Sequence, residues 1–422
     1  MTAPVMTGAE GFLARYQGLR DRLPGDLATR DAAAATFRRN GLPSRRVEAW
    51  KYTDLRPIAA AAFHEPVSLV SDCAELLARA PKIDAPRLVF VDGHFRADLS
   101  DVPGAPLLFV RFADQPDFGT SPLDDDAPMA ALNTMLAEDG ASLHVPSGLD
   151  AGVVHLISLA TDLGGTATGC HPRHSISLSP GAKLTVLETA MGDGGYLHAP
   201  VTEIAVAAGA TLTHIRLQHE SATAFHLATL YANVAEHGIY DSFTLHLGAR
   251  MARTEIHARL AGPNATTHLN GVQLLAGTQH ADITTSVRHD APNGTSRQAV
   301  KNVLAGRSRG VFQGRIEVAR AAQKTDGYQM SQTLLLSPEA EVDTKPELEI
   351  FADDVKCSHG ATIGEIDADQ LFYLRSRGIP DAEARSMLVR AFLAEALDAI
   401  SHDAVRAALE TQVTGWWEKQ AA

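Results

Sequence analysis

Cys357 and His359 are the residues of this sequence whose types and spacing could most directly do chemistry. They lie two positions apart in the stretch DDVKCSHGAT, and residues i and i+2 of a strand face the same side. A thiolate and an imidazole on one face can bind a transition metal, with Asp353 and Asp354 as further candidate ligands. A lone cysteine is more often a small apolar core residue, and a lone histidine an ordinary surface or core residue, so the pair alone leaves both interpretations open.

A second cysteine, Cys170, is followed by His171 and then by His174 in the stretch GCHPRH. Neighbouring strand residues face opposite sides, so Cys170 and His171 are poorly placed to share a ligand, and His174 reaches them only through a bend. We therefore interpret this group as structural. The sequence contains no GxSxG, HExxH or Walker A motif, so we predict that the chain is not an enzyme and cannot itself supply ATPase activity.

Composition limits the possible partners and surroundings. The 422 residues carry a net charge of −13, which disfavours general nucleic-acid binding because phosphates would be repelled. Apolar runs are far shorter than the ~20 residues that cross a membrane, and the first residues lack the basic start and apolar core of a signal peptide. Three widely spaced cysteines do not form a disulfide framework. We expect a cytoplasmic protein without membrane partners.

Helical patterns occupy the beginning and the end of the chain. Phe12, Tyr16, Leu19 and Leu23 repeat at helical spacing, and the segment LATRDAAAATFRR predicts a second helix that stops at Asn40-Gly41. After Pro380, an apolar helix face is formed by Leu388, Phe392, Leu393, Leu397 and Ile400. The adjacent Trp416 and Trp417 cannot share one helix face, which favours exposure of one of them as a partner surface.

Strand patterns dominate the region between these helices. Phe243, Leu245 and Leu247 alternate with Thr244, His246 and Gly248, which predicts strands with one buried and one solvated face. The turn glycines Gly181, Gly209 and Gly238 recur every 28 or 29 residues, as in a coiled strand solenoid. We therefore predict a mainly β protein with a helical domain at 1–84, a solenoid core at 85–364 and a second helical domain at 365–422.

Two segments resemble a known family. Residues 311–388, which read VFQGRIEVARAAQKTDGYQMSQTLLLSPEAEVDTKPELEIFADDVKCSHGATIGEIDADQLFYLRSRGIPDAEARSML, closely resemble the C-terminal signature of the SufB/SufD family of iron–sulfur cluster assembly scaffolds. Residues 45–58, RRVEAWKYTDLRPI, look like the N-terminal signature of its SufD branch. We interpret Trp50, Tyr52 and Leu55 in that segment as packing residues. The resemblance implies a right-handed parallel β-helix core flanked by α-helical domains.

The resemblance also implies partners and site residues. It implies a heterodimer with a SufB-like subunit and a SufC-like ABC ATPase bound on the C-terminal helices, with a homodimer as a possible state of the isolated chain. His359 corresponds to the SufD residue that serves as an assembly ligand. Cys357 is the lesser candidate because the essential cysteine of that site comes from SufB. The cofactor would be a transient iron–sulfur cluster or iron at the subunit interface, and none is expected in the isolated chain.

Cluster chemistry gives a reason for the interface. An iron–sulfur cluster generally takes four protein ligands, and this stretch offers two, so a second chain must complete the site. Two other functions remain as alternatives: an adaptor without a metal role, and a polysaccharide-active β-helix enzyme, because many β-helices act on sugars. Such enzymes use paired carboxylates and aromatic side chains, whereas aromatic residues make up only 6% of this chain.

Overall fold

A computed structural model describes residues 6–66, 73–119, 127–162 and 164–421. Its helices lie mainly at the two ends of the chain, and one short helix interrupts the strand region. Within the described residues they are α1 (Gly8–Leu19), α2 (Leu27–Asn40), α3 (Arg56–Ala59), α4 (Ala74–Ala78), α5 (Pro128–Leu136), α6 (Ala368–Ser376), α7 (Asp381–Leu397) and α8 (Asp403–Ala421). A single 3₁₀ turn, Glu48–Trp50, lies in the N-terminal signature.

The strands are β1 (Arg87–Val91), β2 (His94–Phe95), β3 (Leu108–Arg111), β4 (Ala141–Val145), β5 (Asp150–Ala160), β6 (Thr168–Cys170), β7 (Arg173–Leu178), β8 (Lys183–Gly192), β9 (Tyr196–His198), β10 (Val201–Val206), β11 (Thr211–Glu220), β12 (Phe225–Val234), β13 (Ile239–His246), β14 (Met251–Leu260), β15 (Thr266–Leu275), β16 (His280–His289), β17 (Thr295–Leu304), β18 (Arg309–Val318), β19 (Asp326–Leu335), β20 (Glu341–Ile350) and β21 (Lys356–Gly364). From β4 onward the strands follow one another closely along the chain, joined by turns and short loops.

These strands form two long sheets that face each other. One sheet has the order β2-β1-β5-β8-β11-β13-β15-β17-β19-β21, and the other runs β20-β18-β16-β14-β12-β10-β7-β4-β3, with β6 and β9 joined beside β12. From β10 onward, consecutive strands alternate between the two sheets, and neighbouring strands within each sheet pair in parallel. The result is a parallel β-solenoid of about eight turns. The predicted mainly β solenoid with helices at both ends is confirmed.

The two ends of the solenoid differ. At the N-terminal end, β2 and β3 pair antiparallel with β1 and β4 and are only two and four residues long. At the other end, β20 and β21 are the last strands of their sheets, and each pairs on one side only, with β18 and β19 respectively. The C-terminal end of the solenoid therefore presents open strand edges among the described residues.

The C-terminal helices cover the outer face of the sheet that contains β13. Val389 and Leu393 of α7 lie beside Leu274 of β15, and Ile400, just after α7, lies beside Ile215 and Phe243. Of the predicted apolar face, Leu393, Leu397 and Ile400 are buried and Phe392 is partly buried in this cluster, whereas Leu388 is outside it and Val389 packs there instead. This face is used inside the chain. Trp416 is buried in the same cluster, and Trp417 packs against it half-buried, so neither tryptophan is fully exposed.

Because helices cover this sheet, the expectation that each alternating strand has one solvated face is not met here. In β13, the apolar Phe243 and Leu245 face the helices, whereas Thr244 and His246 point into the solenoid and are as fully buried. His246 Nε2 lies 2.9 Å from Thr254 Oγ1 on the opposite sheet, which places both side chains between the sheets. The prediction of a solvated polar face is wrong here because both faces are covered, the outer one by helices.

The N-terminal helices cover the other sheet. Phe12, Tyr16 and Phe37 share a core cluster with Phe225 and Leu227 of β12, and the whole of α5 is buried in the same region. This cluster joins the helices and the strands continuously. The proposed domain limits at 84 and 364 remain predictions. No helix in the described ranges combines the length and apolarity needed to cross a membrane.

The N-terminal signature is packed against strands, as we expected, although Tyr52 is only half-buried. Trp50 and Leu55 are buried, and the Arg253 guanidinium lies 4.1 Å from the centre of the Trp50 ring. Thr53 Oγ1 donates to the Asp282 carboxylate at 2.5 Å, and Lys345 Nζ contacts Glu48 at 2.8 Å. The segment thereby ties the N-terminus to β14, β16 and β20.

Candidate functional site

Cys357 and His359 lie on the terminal strand of the solenoid. Among the strands that the structure describes, β21 pairs only with β19, where Cys357 lies opposite Gly327 and His359 opposite Gln329. In-register residues of parallel strands face the same side, and Gln329 is fully buried and donates to the Glu347 carbonyl of the other sheet. Cys357 and His359 therefore share the inward-facing side of the last coil, as their spacing predicted.

The two residues differ in exposure. Cys357 is half-buried and packs against the cluster of Ile316, Val318 and Ala352. His359 lies two residues nearer the strand's C-terminal end and is exposed. Burial raises the pKa of the Cys357 thiol, and a hydrogen bond with the Gly327 backbone opposes that rise. Because a thiol must lose its proton to ligate a metal, the exposed imidazole is the more available ligand of the pair.

The acidic neighbours do not complete a site. Asp353 and Asp354 lie in the exposed turn between β20 and β21. Within the part of the chain that the structure describes, no compact group of three potential metal ligands includes either of them, Cys357 or His359. The chain thus brings two candidate ligands to its open end, both on the inward face of a strand whose outer edge is unpaired.

Apolar side chains surround this open end. Phe351, just after β20, is 61% exposed, and Ile363 of β21 is 55% exposed. Every residue of β20 is at least partly exposed, although Leu348 packs against the cluster that contains Ile316. Pro346 lies within β20, and proline is confined to edge strands because it lacks an N–H donor. An exposed, partly apolar strand edge of this kind is typical of a protein interface.

Helix α6 presents a second exposed apolar surface. None of its residues is buried, and Phe372 and Tyr373 are 73% and 56% exposed. Met387, on the outward side of α7, is also exposed. Because α7 and α8 turn their apolar faces toward the solenoid, α6 is the part of the C-terminal segment that offers aromatic side chains to a partner.

The stretch around Cys170 lies deep inside the protein. Cys170, His171 and His174 are all buried. Burial raises the pKa of the Cys170 thiol and lowers the pKa of His174 to about 4. The Ala141 backbone N–H donates to His174 Nδ1 at 3.0 Å, and the His171 ring packs edge-on against Phe12. These contacts agree with a structural interpretation of the two histidines.

Sequence reasoning missed a buried group that lies beside Cys170. His198 of β9, Glu220 of β11 and His226 of β12 form a compact cluster of three potential metal ligands. Burial alone would raise the pKa of Glu220, but the imidazoles of His226 and His198 hold it well below its usual value. The signal was present in the sequence: His198 and His226 are 28 residues apart, the spacing of the turn glycines Gly181 and Gly209.

Comparisons with known proteins agree with this architecture. Residues 160–392 match the family model for the SUF system FeS cluster assembly, SufBD core domain, and residues 26–71 match the SufBD protein N-terminal region. The chain is 35% identical to the iron–sulfur cluster assembly protein SufD of Escherichia coli over 374 residues, 87% of this chain and 88% of that protein.

Two further relatives extend the comparison. An iron–sulfur cluster assembly SufBD family protein of Synechocystis sp. is 33% identical over 382 residues, which cover 85% of this chain and 84% of the relative. A chloroplastic protein of Arabidopsis thaliana is 30% identical over 406 residues, 92% of this chain and 85% of the relative. The chain therefore belongs to the SufBD family of iron–sulfur cluster assembly proteins, within which it is SufD-like.

Proposed function

We propose that this chain is a non-catalytic scaffold subunit of a cytoplasmic iron–sulfur cluster assembly complex. Its open end pairs with a SufB-like subunit, and its C-terminal segment binds a SufC-like ABC ATPase. The observation that carries the proposal is the position of Cys357 and His359 on the inward side of an unpaired terminal strand. Ligands at that position are available to a second chain and are incomplete without it.

The open strand edges support the pairing step. Strands β20 and β21 each have one unpaired edge, and Phe351 and Ile363 beside them are exposed. Burying such side chains against a partner removes apolar surface from water, which drives most protein association. A paralogous subunit with the same solenoid would present a matching edge. The same surface is available for a homodimer of the isolated chain.

Within this interface, His359 is the ligand for the nascent cluster or its iron. The imidazole is exposed, whereas the Cys357 thiol is half-buried and burial raises its pKa. Thiolates and imidazoles together can ligate iron–sulfur clusters, so the partner supplies the cysteine and this chain supplies His359. The cluster is cargo that forms at the interface and leaves it.

Helix α6 supports the docking of the ATPase. Phe372 and Tyr373 are its exposed aromatic residues, and aromatic side chains are enriched among the residues that dominate binding energy. The ATPase would then contact α6 and the outward side of α7, while the inward side of α7 stays on the solenoid. This assigns α6, which follows β21 along the chain, to the ATPase and the edges of β20 and β21 to the SufB-like subunit, so that the chain would hold both partners at once.

Anaerobic reconstitution with iron and sulfide tests the proposal. The complex with SufB-like and SufC-like partners is prepared with the wild-type chain, His359→Ala, Cys357→Ala or the matched control His237→Ala, which removes an exposed turn histidine. We expect cluster yield to fall sharply with His359→Ala, to fall less with Cys357→Ala and to stay unchanged with His237→Ala. Normal assembly by the His359→Ala complex would show that this subunit acts as an adaptor without a metal role.

A further inference from the structure

Three residues repeat at one position of successive coils near the start of the solenoid. Cys170, His198 and His226 are spaced by 28 residues, and the strand register aligns Cys170 with His198 and His198 with His226. Residues paired in this way lie ~4.8 Å apart along the sheet and face the same side. The carboxylate of Glu220, at the end of β11, lies against the two histidines.

The two imidazoles converge on this one carboxylate. His198 Nδ1 lies 3.2 Å from Glu220 Oε1, and His226 Nδ1 lies 2.8 Å from Oε2. All three residues are at least 94% buried, and the side chains have ligand atoms that lie within 4.8 Å of one another. His226 Nδ1 is close to Glu220 Oε2, but the angles between the two groups do not suit a hydrogen bond, so Nδ1 has no hydrogen-bond partner.

A neighbouring residue holds the carboxylate in place. Gln218 Nε2 donates to Glu220 Oε2 at 2.9 Å, and Gln218 Oε1 accepts from the Gly248 backbone N–H at 3.2 Å. The amide is therefore anchored to the backbone of the next coil while it orients Glu220. Metal-binding carboxylates are commonly fixed by such an outer partner, whose loss weakens metal affinity.

The arrangement has the chemistry of a metal site. Nitrogen and oxygen ligands about 2.1 Å from Zn²⁺ in a tetrahedron lie roughly 3.4 Å from each other. The nitrogen–oxygen separations of 2.8 and 3.2 Å seen here would therefore have to lengthen only slightly to admit an ion. Two histidines and one glutamate are also a donor set that zinc and ferrous iron both use in proteins. A buried carboxylate needs a compensating positive charge, which a divalent ion would supply.

We propose that His198, Glu220 and His226 form a buried binding site for a divalent first-row transition ion, with Zn²⁺ held more tightly than Fe²⁺. The order of affinity follows the general series for nitrogen and oxygen ligands. Cys170 lines the same cavity as His198 and Glu220 but is outside the compact group of three. The thiol is therefore a neighbour of the site and not one of its ligands.

This site is separate from the interface pair and does not rest on the proposed function. Strand β11, which carries Glu220, is five strand positions from β21 in the same sheet, or about 24 Å at the usual spacing between strands. The ion would link β9, β11 and β12, and so would bridge the two sheets in the early coils. Its role would be to stabilise that region, where the N-terminal helices pack on Phe225 and Leu227.

Metal analysis of the full-length chain tests the proposal. The chain is produced in medium supplemented with Zn²⁺, passed over a desalting column with a chelator, and assayed for bound metal by mass spectrometry. Growth with Co²⁺ gives a spectroscopic probe of ligand geometry. We expect about one ion per wild-type chain and at least a tenfold loss for His226→Gln and for Glu220→Gln. For Gln218→Leu we expect a tenfold to hundredfold weaker affinity, as for other outer partners.

Controls identify where the ion is bound and guard against misfolding. The double variant Cys357→Ser/His359→Ala should keep its ion, as should His289→Gln, which changes a buried histidine hydrogen-bonded to Ser296 at 2.9 Å. Zn²⁺ should raise the melting temperature of apo wild-type protein and leave that of Glu220→Gln unchanged. Wild-type protein that binds no ion, or an ion lost from the Cys357→Ser/His359→Ala variant, would overturn the proposal and leave the three residues as an ion-paired cluster.

Discussion

Phe351→Ser should weaken pairing with the SufB-like subunit while leaving the isolated chain folded. Phe351 is 61% exposed and immediately follows β20, so its ring contributes little to the core of the isolated chain. Aromatic side chains bury ~150–250 Å² in interfaces, so its exposed part offers roughly 120 Å² to a partner. At about 25 cal/mol per Å² this area is worth about 3 kcal/mol.

The expected loss in affinity follows directly. Each ~1.4 kcal/mol is a factor of ten in the dissociation constant, so Phe351→Ser should raise that constant by about a hundredfold if the ring is fully buried in the complex. Titration calorimetry or analytical ultracentrifugation of the two subunits measures it. Circular dichroism and a melting curve show whether the variant alone is folded.

A matched variant separates the two proposed surfaces. Phe372→Ser changes an even more exposed phenylalanine on α6, and should leave subunit pairing unchanged. Leu348 would be a poorer choice than Phe351, because it also packs against the terminal core cluster. Equal affinity of wild type and Phe351→Ser for the SufB-like subunit would refute the assignment of the open end as the interface.

Three further predictions concern docking, packing and pH. Phe372→Asp should abolish co-purification of the SufC-like ATPase, and retention of the ATPase would place its docking surface elsewhere. Leu393→Ala should lower the free energy of unfolding, measured by urea titration, by about 2–5 kcal/mol because Leu393 is buried between α7 and the solenoid. As a control, Met387→Ala changes an exposed residue and should alter this free energy by less than about 0.5 kcal/mol. Burial lowers the pKa of His289 in the folded chain from 6.5 to about 4. As the pH falls, the unfolded chain is therefore protonated at this histidine before the folded chain is, and stability decreases from pH 6.5 to pH 4. In that window His289→Gln should reduce the pH dependence of unfolding by up to about 1.4 kcal/mol per pH unit, and an unchanged slope would contradict this origin.

The sequence predicted the class of the fold because regular patterns carry that information. Alternating residues predicted strands, and the glycine spacing predicted coils. The same alternation could not say which face was solvated, since the cover beside Phe243 comes from Ala399 and Ile400, which follow helix α7 more than a hundred residues later in the chain. Local pattern identifies an element, whereas the identity of its neighbours depends on the whole fold.

The candidate sites also differ in how far local sequence pattern could predict them. Cys357 and His359 are close in sequence and lie on one strand, so their shared face followed from strand geometry. His198, Glu220 and His226 come from three strands, and their convergence depends on the register between coils. A search for residues repeated at the 28-residue period would have aligned the two histidines, but not Glu220, which reaches them from the facing sheet.

The unequal ends of the solenoid have a consequence for the size of its assemblies. One end finishes in the antiparallel strands β2 and β3, of two and four residues, whereas the other presents the unpaired edges of β20 and β21, of ten and nine residues. Two such chains that meet through their open ends use up the pairing surface of both. Under the proposed pairing, growth would stop at two solenoids because the short strands at the far ends offer little edge to a further chain. A protein built from a stackable repeat would thereby be kept from polymerising into fibres.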